Sequence, residues 1–396
     1  MKTAYFDNAA TTFPKPAPVY DFMDNFYRSA GASIGRGQYK ISSESSKIAF
    51  ETRNLVKELL DCPNKEVVFT PTATIALNMI LLGLAKKILQ KSEKEKITVY
   101  ISPFEHNAVT RVLHSLEKDG KADVKVLPIE SGLTYDYEKI QAEFQSSPPD
   151  MLVLSHVSNV MGFIQPVERL CRLEKSCSKK CATVLDMAQS AVLVPLETGS
   201  DLFDFAVFAG HKTMLGPFGA SGFVMKAGLS MPPVLFGGTG VESANEDMPS
   251  SMPSRYEMGS MNTHAIAGLH AALSWWKNDT EAIRKKEAEN HSRLLSILEK
   301  YSFVKIIRPG RSGQVSPSRF TSVVSCVFDG YTADEIGSAL DEKGIAVRTG
   351  LQCAPLAHKT LGTFPAGTVR FSTQYFTEEE DFAALEGAME WIGENR

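Results

Sequence analysis

The chain holds 396 residues, 43% of them hydrophobic and 22% charged, with a formal net charge of -4 at pH 7. That length predicts two domains, or one large domain with a smaller companion, and the composition argues against a disordered chain. A nearly balanced charge without basic runs interleaved with aromatics argues against nucleic acid, and no apolar run reaches membrane-span length, since Met79 to Leu84 is soon followed by Lys86 and Lys87.

The first residues, Met1 to Asp7, lack the apolar stretch of a secretory signal and the arginine-rich pattern of a transit peptide, so the expected location is cytoplasmic. Asp7-Asn8-Ala9-Ala10-Thr11-Thr12-Phe13-Pro14-Lys15-Pro16 is a small-residue segment ended by two prolines; it cannot lie inside a helix and reads as a fixed, extended loop. A short helix is expected over 18–28, then a permissive loop in which Gly31, Gly35 and Gly37 surround Arg36. Ser43 opens a helix carrying Ile48, Ala49, Val56 and Leu59 toward a core.

Strands are then expected over 66–70, 97–101, 123–127, 151–155 and 183–187, alternating with helices over 74–89, 105–116, 137–144 and 167–176. This order with short connections predicts a mainly parallel sheet covered on both faces, and ligands on such sheets bind beyond the carboxyl ends of the strands. Two more strands, 204–208 and 222–225, are followed by a glycine- and proline-rich functional loop over 237–253. Helices from about Thr263 through Trp276 and over 281–300 come next. The last third, with strands near 322–328 and 368–371 and helices over 332–343 and 378–392, reads as a second domain.

The residues just after the strands carry the chemistry. Phe208-Ala209-Gly210-His211-Lys212-Thr213-Met214-Leu215-Gly216-Pro217 sets a lysine after an apolar strand and between glycines. An amine held at a strand end is where an imine-forming lysine sits, and pyridoxal phosphate (PLP) is the commonest aldehyde cofactor that uses one; an ordinary loop lysine is the alternative. Pro71-Thr72-Ala73-Thr74 opens a helix with small residues, which suits a phosphate cradle of free N–H groups or a plain N-cap. Glu105-His106 offers a histidine able to stack on an aromatic ring, and His156, Ser158, Asn159 and Gly162 form a polar loop after a strand. Asp186 closes an apolar run; a buried carboxylate needs a partner, which a protonated pyridine nitrogen or a structural salt bridge would supply.

In this order Thr72-Ala73-Thr74, Glu105-His106, Ser158-Asn159, Asp186-Met187-Ala188-Gln189 and Gly210-His211-Lys212 resemble the class V aminotransferase family of fold-type I PLP enzymes, and within it the cysteine desulfurase and selenocysteine lyase branch. The resemblance runs from Asp7-Asn8-Ala9-Ala10-Thr11 to Arg370-Phe371-Ser372. It implies an α/β fold: a large PLP-binding domain over 16–262, with a mainly parallel seven-stranded sheet in an α/β/α arrangement, and a smaller α+β domain formed by 1–15 and 263–396. It implies Lys212 as the Schiff-base lysine, Asp186 as the partner of the pyridine nitrogen, Gln189 as a donor to the phenolic oxygen and His106 as the residue stacked on the ring. Thr72, Ala73, Thr74 and His211 fall on phosphate-binding positions. Asn159 falls on a cofactor-side position that also holds the substrate carboxylate, and Arg370 suits a bidentate grip on that carboxylate. Ser260 falls on a hydroxyl that reaches the neighbouring subunit's phosphate, which implies a homodimer.

Cys353 lies in Val347-Arg348-Thr349-Gly350-Leu351-Gln352-Cys353-Ala354-Pro355, a glycine- and proline-bounded loop beside arginine, so an exposed thiol whose thiolate is favoured by positive charge is expected. Six cysteines in so long a chain do not make a disulfide framework. Cys326 belongs to an apolar strand, Cys62 precedes a proline turn, and Cys171, Cys177 and Cys181 lack the paired spacing of a metal site.

Against the family, Cys353 falls on the persulfide-forming cysteine. The implied reaction converts L-cysteine to L-alanine: Lys212 removes the Cα proton, Cys353 takes the sulfur, His106 moves protons, and an acceptor thiol or sulfur-acceptor protein takes the sulfur on. Selenocysteine lysis, another class V reaction such as transamination, and a non-catalytic sulfur-assembly protein are the other readings. Three positions depart from the common pattern: Ala209 where serine often contacts the phosphate, Pro71-Thr72-Ala73 in place of glycine and threonine, and Phe376 where asparagine is usual. Each lost neutral hydrogen bond costs about 0.5 to 1.5 kcal/mol, which the remaining contacts can absorb.

Overall fold

The computed structural model describes residues 3–34, 37, 39–92, 94–130, 132–178, 180–308 and 319–395; Gly35 and Arg36 of the expected glycine loop lie outside the described residues. The chain opens with β1 (Ala4–Tyr5), α1 (Ala17–Ala30) and α2 (Lys40–Leu59). It then alternates through β2 (Lys65–Thr70), α3 (Ala73–Lys91), β3 (Ile97–Ile101), α4 (Asn107–Lys118), β4 (Ala122–Val126), α5 (Tyr137–Ser146), β5 (Met151–Ser155), α6 (Val167–Cys177), β6 (Ala182–Asp186), β7 (Phe205–Phe208) and β8 (Ser221–Lys226). Two helices, α7 (Thr263–Asn278) and α8 (Thr280–Leu298), lead into β9 (Val304–Ile306), β10 (Val323–Phe328), α9 (Ala333–Glu342), β11 (Ile345–Ala346), β12 (Arg348–Gly350), α10 (Pro355–Leu361), β13 (Thr368–Ser372) and α11 (Glu379–Glu394).

Seven strands make one sheet in the order β2-β8-β7-β6-β5-β3-β4, and only β8 runs against its neighbours, so the expected mainly parallel sheet is present. Alternate side chains feed two cores: Leu152 and Leu154 of β5 join Phe144 and Leu170 on one face, while Met151 and Val153 join Leu77 and Val109 on the other. Burial on both faces is why β5 reads as an unbroken apolar run. In α4, Val109, Val112, Leu113 and Leu116 recur at spacings of three and four and make the buried stripe. Helix α3 is long and apolar enough to cross a membrane by length and composition, but Ala76, Leu77, Ile80, Leu81 and Leu84 are spent on the core against the sheet.

The smaller sheet, β12-β13-β10-β9, is antiparallel, and β1 pairs in parallel with β11. Its core gathers Val324, Val369 and Phe371 with Leu298, Leu340, Leu385 and Met389, and takes in Ala4 and Phe6 from the start of the chain. Helix α7 packs elsewhere: Ala265, Ile266 and Leu269 share the core beneath the large sheet with Phe208.

Two helix starts differ from expectation. Helix α4 begins at Asn107 instead of residue 105 because His106 is extended and its ring accepts from the Ala108 N–H as an N-cap. Helix α2 begins a turn before Ser43, whose hydroxyl turns back on the Tyr39 carbonyl. Strands β1, β9, β11 and β12 and helix α10 escaped sequence reading because two to seven residues carry too little periodicity.

Candidate active site

Strand register brings the site together. Ser155 of β5 lies level with Asp186 of β6, and Asp186 level with Val207 of β7, so three strands end side by side. Beyond those ends lies a cavity of about 260 Å³ lined by Thr72, Ala73, Thr74, His106, Asn159, Asp186, Gln189, His211 and Lys212. The chain turns into it through Gly210, where a Cβ would collide with the Ala220 carbonyl, so only glycine allows this approach.

Lys212 has no ion-pair partner among the described residues. Burial, reinforced by Arg370 and Arg348 and opposed by Asp186 and Cys353, pushes its amine down to about 8. The Asp186 carboxyl is pushed up by burial, against the Ala188 N–H that it accepts at 2.9 Å and the nearby Lys212. Its other oxygen has no donor among the described residues, which leaves in the cavity lining an acceptor suited to a cation. His106 is held down to about 4 by burial and by Lys212, Arg348, Arg370 and Arg111. Because its Nδ1 accepts from Ala108 at 3.0 Å, the neutral ring carries its proton on Nε2.

Thr72 caps α3 by accepting from Ile75 at 3.2 Å, while the N–H groups of Ala73 and Thr74 have no partner among the described residues. N-cap and anion cradle are therefore compatible here. His211 stacks on Phe218 at 4.6 Å, its ring lowered to about 3 by burial and by Lys212 and Lys15, and its buried Nδ1 has no partner among the described residues. Gln189 donates from Nε2 to the Ala9 carbonyl at 2.8 Å.

Arg370 stands apart from the cavity lining. It is 2% exposed and already engaged: Nη1 donates to the Asn159 carbonyl at 2.9 Å, Nη2 to Asp7 Oδ1 at 2.7 Å, and the buried Nε has no partner among the described residues. Cys353 lies outside the lining as well, exposed as expected, on a loop where Gln352 and Cys353 both adopt positive φ of 41° and 57°. Arg348 Nη2 lies 3.7 Å from its sulfur. Burial pushes the thiols of Cys62, Cys171, Cys181 and Cys326 up. The loop is tied to the cavity by two hydrogen bonds, from Asn107 N to the Cys353 carbonyl at 2.8 Å and from Asn159 Nδ2 to the Gln352 carbonyl at 2.7 Å. Ser260 is not brought to this cavity: it is exposed and lines a separate recess of about 350 Å³ with Leu235, Met258, Met261 and Ile266.

The sequence matches the class-V aminotransferase family over residues 4–385. The chain belongs to that family. A probable cysteine desulfurase of Haemophilus influenzae is 30% identical over 399 residues, covering 98% of this chain and 86% of the relative. One from Vibrio cholerae is 28% identical over 391 residues, covering 97% and 92%. Among solved structures, the apo cysteine desulfurase from Thermococcus onnurineus NA1 superposes with a TM-score of 0.88 at 26% identity, covering 100% of this chain and 95% of that one. The cysteine desulfurase CsdA from Escherichia coli gives 0.84 at 27% identity, covering 99% and 95%.

Members of this family are PLP enzymes, and the residues present fit that cofactor. The unpartnered His211 Nδ1 and the free N–H groups of Ala73 and Thr74 suit a phosphate, the open Asp186 oxygen suits a pyridinium, and Lys212 lies in the same wall.

Two contributors went unassigned in the sequence. Glu105, pushed up to about 8 by burial, accepts from the Ser155 N–H at 2.6 Å, the Ser155 hydroxyl at 2.8 Å and the Ser102 hydroxyl, and so pins the end of β5. A glutamate among apolar residues at a strand end was its only signal. Asp7 partners Arg370 across 363 residues of sequence, which no local pattern announces. Of the departures, Phe376 packs on Trp275 at 5.5 Å and serves the seam between the two sheets.

Proposed function

We propose that this chain is a PLP-dependent cysteine desulfurase converting L-cysteine to L-alanine and passing the sulfur to Cys353 as a persulfide. One observation carries the reading: a desolvated lysine, a buried carboxylate and a neutral histidine share one cavity, and a single exposed cysteine is hydrogen-bonded to the helix that this histidine caps. Lys212 would hold the cofactor through its amine, Asp186 would face the ring nitrogen, His106 would lie over the ring and Gln189 would donate to the phenolic oxygen. Thr72, Ala73, Thr74 and His211 would surround the phosphate. When bound, PLP supplies an electron sink that loosens the Cα–H and Cβ–S bonds of the amino acid.

The chain's own residues do the rest. Asn159 and Arg370 would grip the substrate carboxylate, Arg370 by exchanging its Asp7 contact for it. Lys212 Nζ, low enough in pKa to be neutral in part of the population, takes the Cα proton. The Cys353 thiolate attacks the substrate sulfur. A sulfur–sulfur bond forms and the Cβ–S bond breaks with its electron pair left toward carbon; the proton held on Lys212 returns to Cα, and the proton released from the Cys353 thiol, carried by way of His106, goes to Cβ, which completes alanine. An acceptor thiol, free or on a sulfur-acceptor protein, then takes the terminal sulfur.

A homodimer belongs to the same proposal. The apolar recess beside Ser260 and the exposed Phe218 and Phe236, 66% and 67% accessible, form a face that a second copy would cover, bringing Ser260 toward the neighbour's phosphate. We also propose a large domain over 16–262 and a small one formed by 1–15 and 263–396, with α7 as a small-domain segment packed on the large one. Six unpaired cysteines support cytoplasmic residence.

The test is a visible spectrum of the purified protein with PLP, followed by L-cysteine, L-selenocysteine and an amino acceptor in parallel. Cofactor absorbance with alanine and sulfide formed from L-cysteine is the expected result. Turnover of L-selenocysteine alone would move the assignment to selenocysteine lysis.

A further inference from the structure

Residues 7–15 carry hydrogen bonds to four of the residues assigned above, and only the Asp7–Arg370 contact has a role in the reaction as described. Asp7 meets Arg370 at 2.7 Å, and the Ala9 carbonyl accepts from Gln189 at 2.8 Å. Asn8 and Ala9 bind Ser372 of β13 at 2.9 and 2.8 Å, which moors the segment to the small sheet. Its far end converges on one atom of the large domain, the His211 carbonyl oxygen. That oxygen accepts from the Thr11 hydroxyl at 3.0 Å, the Thr12 N–H at 3.2 Å and Lys15 Nζ at 2.7 Å. Lys15 Nζ also donates to Thr12 Oγ1 at 2.5 Å, and Thr12 Oγ1 lies 3.2 Å from both the His211 and Lys212 carbonyls.

We propose that residues 7–15 form a positioning strap for Lys212, anchored by Lys15, which fixes the His211–Lys212 peptide so that the amine of Lys212 leaves and returns along one path. The inference rests on Lys212 being the cofactor-bearing lysine.

A peptide carbonyl has two lone pairs, and three donors of this segment converge on the one at His211. Lys15 is only partly exposed and has no carboxylate partner among the described residues, a costly way to place an ammonium. The adjacent carbonyls are held too: Lys212 O accepts from Leu215 N at 2.8 Å and Thr213 O from Trp276 Nε1 at 3.0 Å. Three consecutive peptides around the reactive amine are therefore clamped, while the Lys212 side chain itself has no ion-pair partner among the described residues. That combination suits an amine that changes partners within a turnover: a fixed Cα preserves the approach of Nζ, and small misplacements of reacting groups are expensive.

The test compares Lys15→Met, Thr12→Val and Thr12→Ser in the full-length protein. Deuterium uptake across 208–217 is read together with kcat and KM for L-cysteine and the melting temperature. Lys15→Met and Thr12→Val are expected to raise uptake in that segment and lower kcat by about tenfold, with KM moving less than about twofold, because ground-state binding at Arg370 is untouched. Thr12→Ser keeps the hydroxyl and should retain wild-type behaviour. A lower melting temperature with kcat unchanged would make Lys15 a scaffold residue and overturn the proposal, as would identical uptake in all variants. Should Lys15→Met fail to fold, equal kcat for Thr12→Val and Thr12→Ser overturns it. Failure of the desulfurase reading shows separately, as wild-type protein without cofactor absorbance or cysteine turnover.

Discussion

Lys212 and Cys353, the two nucleophiles of the proposed reaction, sit in opposite surroundings. Lys212 is recessed at the ends of parallel strands, where burial and neighbouring cations bring its amine down to about 8. Cys353 is exposed on a short loop of the antiparallel sheet, with an arginine 3.7 Å from its sulfur. An amine becomes nucleophilic by losing its proton, which desolvation favours; a thiol that must hand its sulfur to another molecule has to stay reachable. The two requirements exclude one shared environment. The protein separates them and links the two places through Asn107 and Asn159, each of which holds a carbonyl of the cysteine loop.

Removing either nucleophile should break different halves of that arrangement. Lys212→Ala is expected to lose the visible absorbance of bound cofactor and to lower alanine formation by at least about 10³-fold, since attachment and proton transfer go together. In the wild type, the rate at which cofactor-free protein takes up PLP should rise as pH passes through about 8, because only the neutral amine reacts. Cys353→Ser should do the converse: full cofactor absorbance, no persulfide on the protein by mass spectrometry, and no sulfide from L-cysteine. Undiminished sulfide release from Cys353→Ser would mean that sulfur leaves without the loop, and the contrast between the two regions would lose its meaning.

A smaller effect is expected from the footing of the loop. Gln352 is 3% exposed despite its positive φ. His358 Nε2 meets its Oε1 at 2.8 Å, its Nε2 donates to the Thr368 carbonyl at 3.0 Å, and His358 Nδ1 meets Thr363 at 2.7 Å. Exposure of the sulfur thus rests on a buried polar clamp one residue away. His358→Ala should cost about 1–3 kcal/mol of stability through unsatisfied buried groups. It should slow persulfide formation while leaving cofactor absorbance intact, as followed by thermal melting and single-turnover sulfur transfer. A variant with normal transfer would show that the loop holds its place without this histidine.

How far the sequence could reveal these regions followed from distance along the chain. Lys212 and His106 stand just beyond apolar strands and Asp186 ends one, so parallel-sheet geometry places them together once the strands are recognised. The small sheet was half legible: β10 is a nearly unbroken apolar run and β13 alternates, but β12, which launches the cysteine loop, has three residues and no pattern to read. Contacts that tie the regions together were not legible at all. Asp7 with Arg370, Lys15 with His211 and Asn159 with Gln352 are polar pairs separated by 363, 196 and 193 residues, and nothing in either local stretch specifies the other. The expected bidentate grip of Arg370 illustrates the limit: the residue type was readable, its prior engagement by Asp7 was not.

The smallest effect lies at the seam between the two regions. Glu287 of α8 accepts from the Ser322 hydroxyl at 3.0 Å and from the Tyr375 N–H at 2.9 Å, residues that flank β10 and β13, and a cavity of about 30 Å³ separates it from Gln189. Burial pushes its carboxyl from 4.5 up to about 7, with the two hydrogen bonds opposing. The folded protein therefore holds a proton that the unfolded chain releases above pH 4.5, so the contribution to stability is greatest below that value and is lost as pH rises through about 7. Glu287→Gln removes the titration. Its stability in urea should fall less than that of the wild type between about pH 5 and about pH 8, a difference on the order of 1 kcal/mol once weakened hydrogen bonds are offset. Parallel losses in both proteins would mean that Glu287 stays ionised in the fold and that the seam is wetter than its packing indicates. A shallower loss in the variant would identify Glu287 as a group whose ionisation weakens the junction of the two sheets as pH rises.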